Sequence, residues 1–338
     1  MANPLPYVSI VMPVRNEEDF IAQALNAVVG QDYPREQVEV IVCDGMSTDA
    51  TRDIVADFQA KYANIQLLDN PLKIAPTALN VAAASSKGEI VIRVDGHCVI
   101  APAYVSRCVQ HLQNNPDVWG VGGPIETIAM SPEAEPIAIA MSSTFGVGGS
   151  AFRTTRDKTL LVDTVAFAAY RREALDLAGP YDEQLVRNQD DEYNFRIREL
   201  GGKILLAADV QSTYYSRGTL SKLWRQYFQY GFYKTRVMQK HPRQMSPRQF
   251  VPAAFVSSLC LALMTSPWMR SPLIFLLGAY LFALIFATAT ICSRRGWKHL
   301  LHLPVAFATL HLSYGFGFML GMCTLFPAGT RNPAKVTS

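Results

Sequence analysis

The amino-acid sequence predicts an α/β domain with a mostly parallel sheet, followed by a segment that is embedded in a membrane. In the first half, short runs rich in β-branched residues alternate with helical patterns, as they do in parallel α/β sheets. Residues 1–209 contain all 28 Asp and Glu of the chain against 17 Lys and Arg, a net charge of −11. Residues 210–338 contain 14 Lys and Arg and no acidic residue. Such an asymmetry is typical of chains that bind nucleic acid or a membrane.

Hydrophobicity favours the membrane and argues against nucleic acid. Three stretches of the basic half lack Asp, Glu, Lys and Arg, namely residues 249–269, 271–293 and 299–330. Each reaches the ~20 residues that cross a hydrocarbon core. We therefore predict a membrane domain over 249–330 with about three helices, at 249–269, 271–293 and 299–326. Buried helices of a soluble domain are the alternative, although these usually keep a polar face. A re-entrant first segment is another, because Pro252 and several hydroxyl residues interrupt it.

Basic residues predict the orientation in the membrane. Eight of them lie between Arg217 and Arg248, before the first uncharged stretch, and three more lie between the second and third stretches. The positive-inside rule places both clusters in the cytoplasm. The chain opens without the pattern of a cleavable signal peptide, so we expect the first domain to be cytoplasmic. Three simple spans would put the last two basic residues outside, which counts against that topology.

The first half contains four predicted strands, each a short apolar run bounded by polar residues. They are residues 8–14, 38–43, 65–68 and 89–94, with helices at 20–30, from Thr48 or Asp49 onward, and at 77–86. Polar residues follow three of these strands: Arg15-Asn16-Glu17, Asp44 and Asp95. Ligands of open α/β sheets bind in the crevice outside the carboxyl ends of the strands. We therefore expect these residues to line one site.

Carboxylates take the place of a glycine-rich phosphate loop in this crevice. No G-x-G-x-x-G follows the first strand, and no G-x-x-x-x-G-K-[ST] occurs in the sequence. A diphosphate beside Asp95 would be repelled unless a divalent cation lay between them. Mg²⁺ and Mn²⁺ take oxygen ligands from one or two carboxylates and complete their shell with phosphate and water. Asp95 and His97 are therefore candidate metal ligands; an ordinary turn residue is the alternative for Asp95.

Two further segments suggest roles in a reaction. The acidic run at 188–192, NQDDE, precedes a helical pattern, and one of its carboxylates is a candidate general base. A solvated helix start is the alternative. The glycine-rich stretch at 145–149 is too irregular for a strand, and its glycines permit a mobile backbone. Because Arg153 and Arg156 follow it and suit a pyrophosphate, we expect an acceptor loop here.

Taken together, these segments resemble the family 2 glycosyltransferases of the GT-A fold. Four pieces match in the order of the family: VSIVMPVRNE (8–17), VCDGMSTDAT (42–51), IRVDGHC (92–98) and NQDDEYNFR (188–196). Within that family, the chain more closely resembles the succinoglycan-biosynthesis type of bacterial exopolysaccharide glycosyltransferase. That resemblance extends over nearly the whole chain through FGVGGSAFR (145–153), VDTVAFAAYRRE (162–173), RQYFQYG (225–231) and HLSYGFGFMLG (311–321).

The resemblance implies a metal-dependent, inverting transfer of a sugar at the bacterial cytoplasmic (inner) membrane. The donor is then a nucleotide sugar, expected to be a UDP-sugar, with Mn²⁺ or Mg²⁺ as cofactor. The expected acceptor is a polyprenyl-diphosphate-linked saccharide of exopolysaccharide biosynthesis, and polyprenyl phosphate is the alternative. A non-catalytic membrane subunit that binds nucleotide sugars and a processive polysaccharide synthase are two further alternatives.

The resemblance also assigns roles to individual residues. Asp190 matches the catalytic base of the family, six residues before Arg196, and a slip of one residue would select Asp191 instead. His97 stands where the family often has the second carboxylate of its metal motif, beside Asp95. The residues expected at the nucleotide are Pro13, Arg15, Asn16, Glu17, Asp44, Lys73, Arg93 and Asp95, with a solvated surface charge as the alternative for Lys73.

The segment that joins the two halves of the chain resembles the interfacial helix of related membrane enzymes. We predict a catalytic domain over 1–215 and an amphipathic interfacial segment over 216–248. The segment carries an apolar stripe from Leu220 to Phe228 among cations, a pattern typical of helices at a lipid surface. Packing of the stripe on the catalytic domain is the alternative. The residues expected at the acceptor or the leaving diphosphate are Arg153, Arg156, Arg217, Arg225 and Gln226.

Overall fold

The computed structural model describes residues 5–216 and 218–325, and the chain divides into two compact units, Met1–Thr219 and Leu220–Ser338. The strands, all in the first unit, are β1 Val8–Val14, β2 Val38–Asp44, β3 Ile65–Asp69, β4 Ile90–Arg93, β5 Cys98–Ile100, β6 Val118–Gly122, β7 Ile125–Ile128, β8 Leu160–Val162, β9 Ala169–Arg171, β10 Lys203–Leu206 and β11 Ser212–Tyr215. The helices of the first unit are α1 Ile21–Val29, α2 Thr51–Lys61, α3 Ala75–Ser85, α4 Tyr104–Asn114, α5 Glu135–Met141, α6 Thr144–Val147, α7 Ala151–Thr154, α8 Arg172–Ala178 and α9 Gln189–Glu199. Those of the second unit are α10 Leu220–Lys240, α11 Val251–Thr265, α12 Ser271–Arg295 and α13 Leu303–Leu325.

The central sheet has eight strands in the order β3-β2-β1-β4-β9-β6-β10-β8. The four predicted strands, β1 to β4, are mutually parallel neighbours. The strand β9 runs antiparallel to both β4 and β6, and β8 runs antiparallel to β10. The sheet is therefore mixed, with β8 and β9 reversed, but its other six strands run in one direction, in agreement with the prediction of a mostly parallel sheet. Both antiparallel strands have only three residues, too few to show a period in the sequence.

A second, three-stranded sheet begins directly after the turn that contains Asp95 and His97. Its order is β5-β11-β7, with β5 antiparallel and β7 parallel to β11. The turn at 94–97 therefore connects β4 of the large sheet to β5, the first strand of the small one. This connection fixes both ends of the turn in hydrogen-bonded strands.

Helix α9, which begins in the acidic run, is anchored to the core through a buried amide. Asn194 has no exposed surface, and its Nδ2 donates to Thr164 Oγ1 and to the Val165 carbonyl at 2.9 Å each. Its Oδ1 accepts from the Tyr170 hydroxyl at 2.9 Å. At the other end, Arg196 donates to the carbonyls of Ala178 and Pro180. The middle of α9 is thereby held against β9 through Tyr170.

In the second unit, α10 and α13 pack at close range through glycines. A Cβ on Gly231 would lie 2.0 Å from the Tyr314 carbonyl oxygen, and one on Gly317 would lie 2.0 Å from that of Phe228. The predicted apolar stripe of α10 is partly buried, since Leu223 has no exposed surface whereas Trp224 is exposed. The stripe therefore has a packing partner within its own unit.

Within residues 5–216 and 218–325, two helices, α12 and α13, are long and apolar enough to cross a membrane. The first predicted span, 249–269, is corrected to a shorter helix. Helix α11 has 15 residues, about 22 Å at 1.5 Å per residue, which is less than the ~30 Å of a hydrocarbon core. Hydropathy extended the prediction to residue 269, but the helix ends at Thr265, two residues before Pro267.

Candidate active site

The loops after β1 and β2 are hydrogen-bonded to each other and form one wall of the crevice. The Asn16 N–H donates to Ser47 Oγ at 2.8 Å, and Asn16 Oδ1 accepts from the Thr48 N–H at 2.9 Å. The Glu17 N–H donates to Thr51 Oγ1 at 2.8 Å. Asn16 and Glu17 are therefore held in place by the chain itself.

Backbone strain is concentrated around this edge of the sheet. Four non-glycine residues with left-handed backbone lie in the loops after β1, β2 and β3 and before α9: Asn16 (φ 52°), Met46 (φ 55°), Lys73 (φ 62°) and Asn188 (φ 61°). Residues other than glycine rarely adopt this conformation. Such residues cluster at functional sites, where the surrounding structure maintains them.

Asp44 forms the centre of a first charge cluster, together with a residue that the sequence did not single out. Its side chain has no exposed surface and accepts from the Ser47 N–H at 2.9 Å and from Arg52 Nη1 at 2.8 Å. The same Arg52 nitrogen lies 2.8 Å from Asp69 Oδ1. We call Arg52 with Asp44 and Asp69 the outer bridge, because Arg52 and Asp69 are 36% and 58% exposed.

A second cluster joins the turn after β4 to the start of α9. Arg93, the last residue of β4, donates from Nε to Asp95 Oδ1 at 2.8 Å and from Nη2 to Asp95 Oδ2 at 3.1 Å. Its Nη1 donates to Asp190 Oδ1. The Arg93 side chain is only 6% exposed. We call Arg93 with Asp95 and Asp190 the inner bridge.

The inner bridge moves the pKa values of its two acids in opposite directions. Burial raises the pKa of Asp190 to about 6, against the lowering effect of the Arg93 guanidinium. Burial also acts upward on Asp95, but the charge and hydrogen bonds of Arg93 outweigh it and lower the pKa of that carboxyl. An ionised Asp95 beside an Asp190 that titrates near neutrality is an arrangement suited to ligand binding and proton transfer.

The structure separates the acids of the 188–192 run. Glu192 is buried and forms an ion pair with Arg196, one turn further along α9. Asp190 is the member that reaches Arg93 at the crevice. The sequence predicted one crevice-facing carboxylate in this run, and the geometry favours Asp190 for that position.

His97 is held by Glu17 and by aromatic rings. Its Nδ1 lies 2.8 Å from Glu17 Oε1, and its ring packs edge-on against Tyr214 at a centroid distance of 5.2 Å. The contact with Glu17 leaves Nε2 as the ring nitrogen for a ligand. In the described residues, no group of three or more His, Cys, Asp or Glu is arranged to hold a metal ion. One carboxylate and one imidazole fit a cation that shares its shell with a diphosphate.

The predicted acceptor segment is partly helical and packs tightly. It contains α6, and a Cβ on Gly146 would lie 2.1 Å from the Ala140 carbonyl oxygen. The glycine therefore serves close packing, which differs from the expected mobile loop. Arg153 lies over the Tyr214 ring at 5.6 Å, so it is one aromatic ring away from His97. Arg156 is exposed.

The remaining predicted residues lie in several places. Arg15 and Lys73 are exposed, and Pro13 is partly buried within β1. Arg225 is exposed on α10, in the second unit, where Gln226 is buried and donates to the Tyr230 hydroxyl at 2.9 Å. Arg217 lies outside the described residues.

Sequence comparison identifies the relatives of this chain. A model of the family described as Glycosyl transferase family 2 matches residues 9–177, half of the chain. The chain is 31% identical over 235 residues to the succinoglycan biosynthesis protein ExoA of Rhizobium meliloti, covering 69% of this chain and 70% of that protein. It is 29% identical over 241 residues to the dolichyl N-acetyl-alpha-D-glucosaminyl phosphate 3-beta-D-2,3-diacetamido-2,3-dideoxy-beta-D-glucuronosyltransferase of Methanococcus voltae, covering 69% and 74%.

Solved structures share the fold at lower sequence identity. The mannosyltransferase PcManGT from Pyrobaculum calidifontis, in complex with GDP-Man and Mn²⁺, has a TM-score of 0.62 at 20% identity and covers 95% of this chain and 88% of its own. Residues 1–349 of S. aureus TarS, in complex with UDP-GlcNAc, have a TM-score of 0.52 at 18% identity and cover 94% and 92%. These likenesses confirm the predicted GT-A-like α/β fold.

Proposed function

Because this chain belongs to glycosyl transferase family 2 and is a glycosyltransferase that acts on nucleotide sugars, we propose that it transfers one sugar to a lipid-linked saccharide at a membrane surface. The observation that carries this proposal is the inner bridge. A proton-accepting Asp190 and an ionised Asp95 meet there, at the carboxyl edge of the parallel strands. That edge is where α/β sheets bind nucleotides.

The proposed chemistry is a single displacement with inversion at the anomeric carbon. Asp190 accepts the proton of an acceptor hydroxyl, and the hydroxyl oxygen forms a bond to C1 of the donor sugar. The bond between C1 and the diphosphate oxygen breaks, and its electron pair leaves with the nucleoside diphosphate. General-base catalysis of this kind contributes about 10²–10⁴-fold to a rate.

The donor is proposed to bind between the outer bridge and the turn after β4. Asp44, Asn16, Glu17 and the exposed Lys73 are proposed to surround the nucleoside side of this crevice. Asp95 and His97 would hold a divalent cation, Mn²⁺ or Mg²⁺, which when bound would neutralise the diphosphate and stabilise the leaving group. The solved relatives support such a donor, since PcManGT binds GDP-Man with Mn²⁺ and TarS binds UDP-GlcNAc. We propose a UDP-sugar on the basis of the resemblance.

A lipid-linked acceptor is proposed from the chemistry of the second unit. Helix α12 exposes a series of large apolar side chains, including Phe275 and Phe282 at 76% and 71%. A lipid environment accounts for such exposure better than water does. The unit has no acidic residue from 220 to 338, and its cations suit phosphate groups. The name of the Methanococcus relative includes a dolichyl N-acetyl-glucosaminyl phosphate, and that of the Rhizobium relative refers to succinoglycan biosynthesis.

The resulting proposal places the catalytic unit at the cytoplasmic face of the bacterial inner membrane. Helix α10 is the proposed interfacial helix, with Arg225 and Gln226 at the acceptor side. Arg153, Arg156 and Arg217 are proposed to contact the acceptor or the leaving diphosphate. The proposed product carries one added sugar, as expected of a transferase that is not processive.

The test is a transfer assay on membranes that contain the full chain. Labelled UDP- and GDP-sugars are incubated with Mn²⁺ or Mg²⁺ and with extracted polyprenyl-diphosphate saccharides or polyprenyl phosphate. We expect one labelled sugar on the diphosphate-linked saccharide, and a loss of about 10²–10⁴-fold in Asp190→Asn with donor binding retained. Donor binding without transfer to any acceptor would refute the proposal in favour of a non-catalytic subunit. Transfer to polyprenyl phosphate alone would refute the proposed acceptor.

A further inference from the structure

The resemblance placed Arg93 among the nucleotide-binding residues, but its contacts indicate another role. All three donor contacts described above go to carboxylates, two to Asp95 and one to Asp190. With a side chain only 6% exposed, Arg93 has little surface to offer a nucleoside. Its place at the end of the central strand β4 instead puts it between two parts of the proposed reaction centre.

Building on the proposed function, we propose that Arg93 is a positioning residue that holds the base Asp190 in register with the donor site at Asp95. A guanidinium has five N–H donors in a fixed planar fork. When two carboxylates bind different edges of one such fork, their mutual distance and orientation are set by its plane. The backbone at the end of β4 holds the base of the fork, because the Arg93 N–H donates at 3.0 Å to the carbonyl of Ala168, the residue just before β9.

This geometry also distinguishes the two oxygens of the base. Arg93 holds Asp190 Oδ1, which leaves Oδ2 as the oxygen that accepts the proton of the acceptor hydroxyl. If Asp190 were released, either oxygen could rotate towards the acceptor, and the carboxylate could move towards a cation at Asp95. Misplacement of a catalytic group by about 1 Å can reduce a rate by about 10²-fold.

The test is to measure how far kcat and the donor KM each change in Arg93→Lys. A lysine keeps one positive charge but has no planar fork to hold both carboxylates. We expect kcat to fall by about 10²-fold, with the donor KM and the dissociation constant of the nucleoside diphosphate within about threefold of wild type. A role in nucleotide binding predicts the reverse, a raised KM and weaker nucleotide binding with little change in kcat, and would overturn the proposal.

Arg52→Lys is the matched comparison, because Arg52 also joins two carboxylates but does not touch the base. In Arg52→Lys we expect the donor KM to rise and kcat to change less, which is the opposite of the effect expected in Arg93→Lys. An equal loss of kcat in both variants would overturn the proposal, since any arginine bridge would then have the same effect.

A second variant separates positioning from a purely structural role. In Arg93→Ala, millimolar guanidinium ion is expected to raise kcat by about tenfold or more. Methylammonium, which has the charge without the planar fork, is not expected to do so. Equal rescue by both cations, or by neither, would overturn the proposal. A wild-type chain that transfers no sugar would instead refute the proposed function, so the two failures are distinguishable.

Discussion

The outer and inner bridges are built alike and differ in their surroundings. In each, one arginine joins two carboxylates from different elements of the sheet edge. The arginine side chain of the outer bridge is 36% exposed and that of the inner bridge is 6% exposed. Exposed ion pairs contribute about 0–1 kcal/mol, whereas removing one partner from a buried pair costs about 3–5 kcal/mol.

This difference matches what each side of the crevice is proposed to do. The outer bridge is proposed to face the nucleoside, where binding tolerates small adjustments of polar side chains. The inner bridge lies at the proposed reaction centre, where atoms must be placed within fractions of an ångström. Burial and attachment to the central strand β4 give the inner bridge the more rigid geometry. Substitutions on the two bridges should therefore have different kinetic signatures.

The largest difference in transfer rate is expected between two variants that each remove one acid from a bridge. These are Asp95→Asn in the inner bridge and Asp69→Asn in the outer bridge. Asp95→Asn removes a proposed cation ligand and one carboxylate of a buried cluster. We expect transfer to fall by about 10²–10³-fold, to a level that added Mn²⁺ does not restore, and the melting temperature to fall. In Asp69→Asn the transfer rate should stay within about threefold of the wild-type rate.

Initial rates at several Mn²⁺ concentrations and thermal melting in detergent check this prediction. Chelation of wild type with EDTA is the control and should reproduce the loss seen in Asp95→Asn. Comparable losses in the two variants would show that exposure does not separate the bridges.

The pH dependence of transfer tests the inner bridge through its base. The pKa of Asp190 is raised to about 6, mainly by burial. A base must be ionised to accept a proton, so kcat/KM should fall about tenfold per pH unit below pH 6 and level off above it. Rates measured across this range locate the acid limb, and a limb near pH 4 would contradict the assignment of a buried Asp190 as the base.

Asp191→Asn sharpens the assignment of the base. The charge of Asp191 is one of the causes that raise the pKa of Asp190. Its removal should lower that pKa, so the acid limb moves to lower pH while the plateau rate stays within about threefold of wild type. A collapse of the plateau would identify Asp191 as the base. Asp191→Glu, which keeps the charge, is the matched control and should leave the limb in place.

Much of the sheet edge could be predicted from sequence, because β-branched runs identify buried strands and ligands gather at their carboxyl ends. Asp44, Asp95 and Asn16 were placed at the crevice in this way. The partners were not predictable, since Arg52 is eight residues after Asp44 on a helix and Asp190 is 97 residues after Arg93. Local patterns also failed for β9, which has three residues, and for the end of α11, because hydropathy does not report where a helix stops.

The smallest effect expected lies within the outer bridge, between its buried and its exposed acid. Asp44 has no exposed surface and also accepts from the Ser47 N–H, which belongs to the wall that holds Asn16. Asp69 is 58% exposed and binds only Arg52 among the contacts described here.

Asp44→Asn should therefore raise the donor KM by about tenfold and Asp69→Asn by less than threefold, since an exposed pair contributes about 0–1 kcal/mol. Raising the salt concentration should abolish the small rise in donor KM caused by Asp69→Asn, because salt screens exposed charges. The larger rise caused by Asp44→Asn should persist at high salt. Donor titrations at low and high salt measure both, and equal effects of the two variants would mean that the nucleoside side depends on the exposed charge rather than on the buried wall.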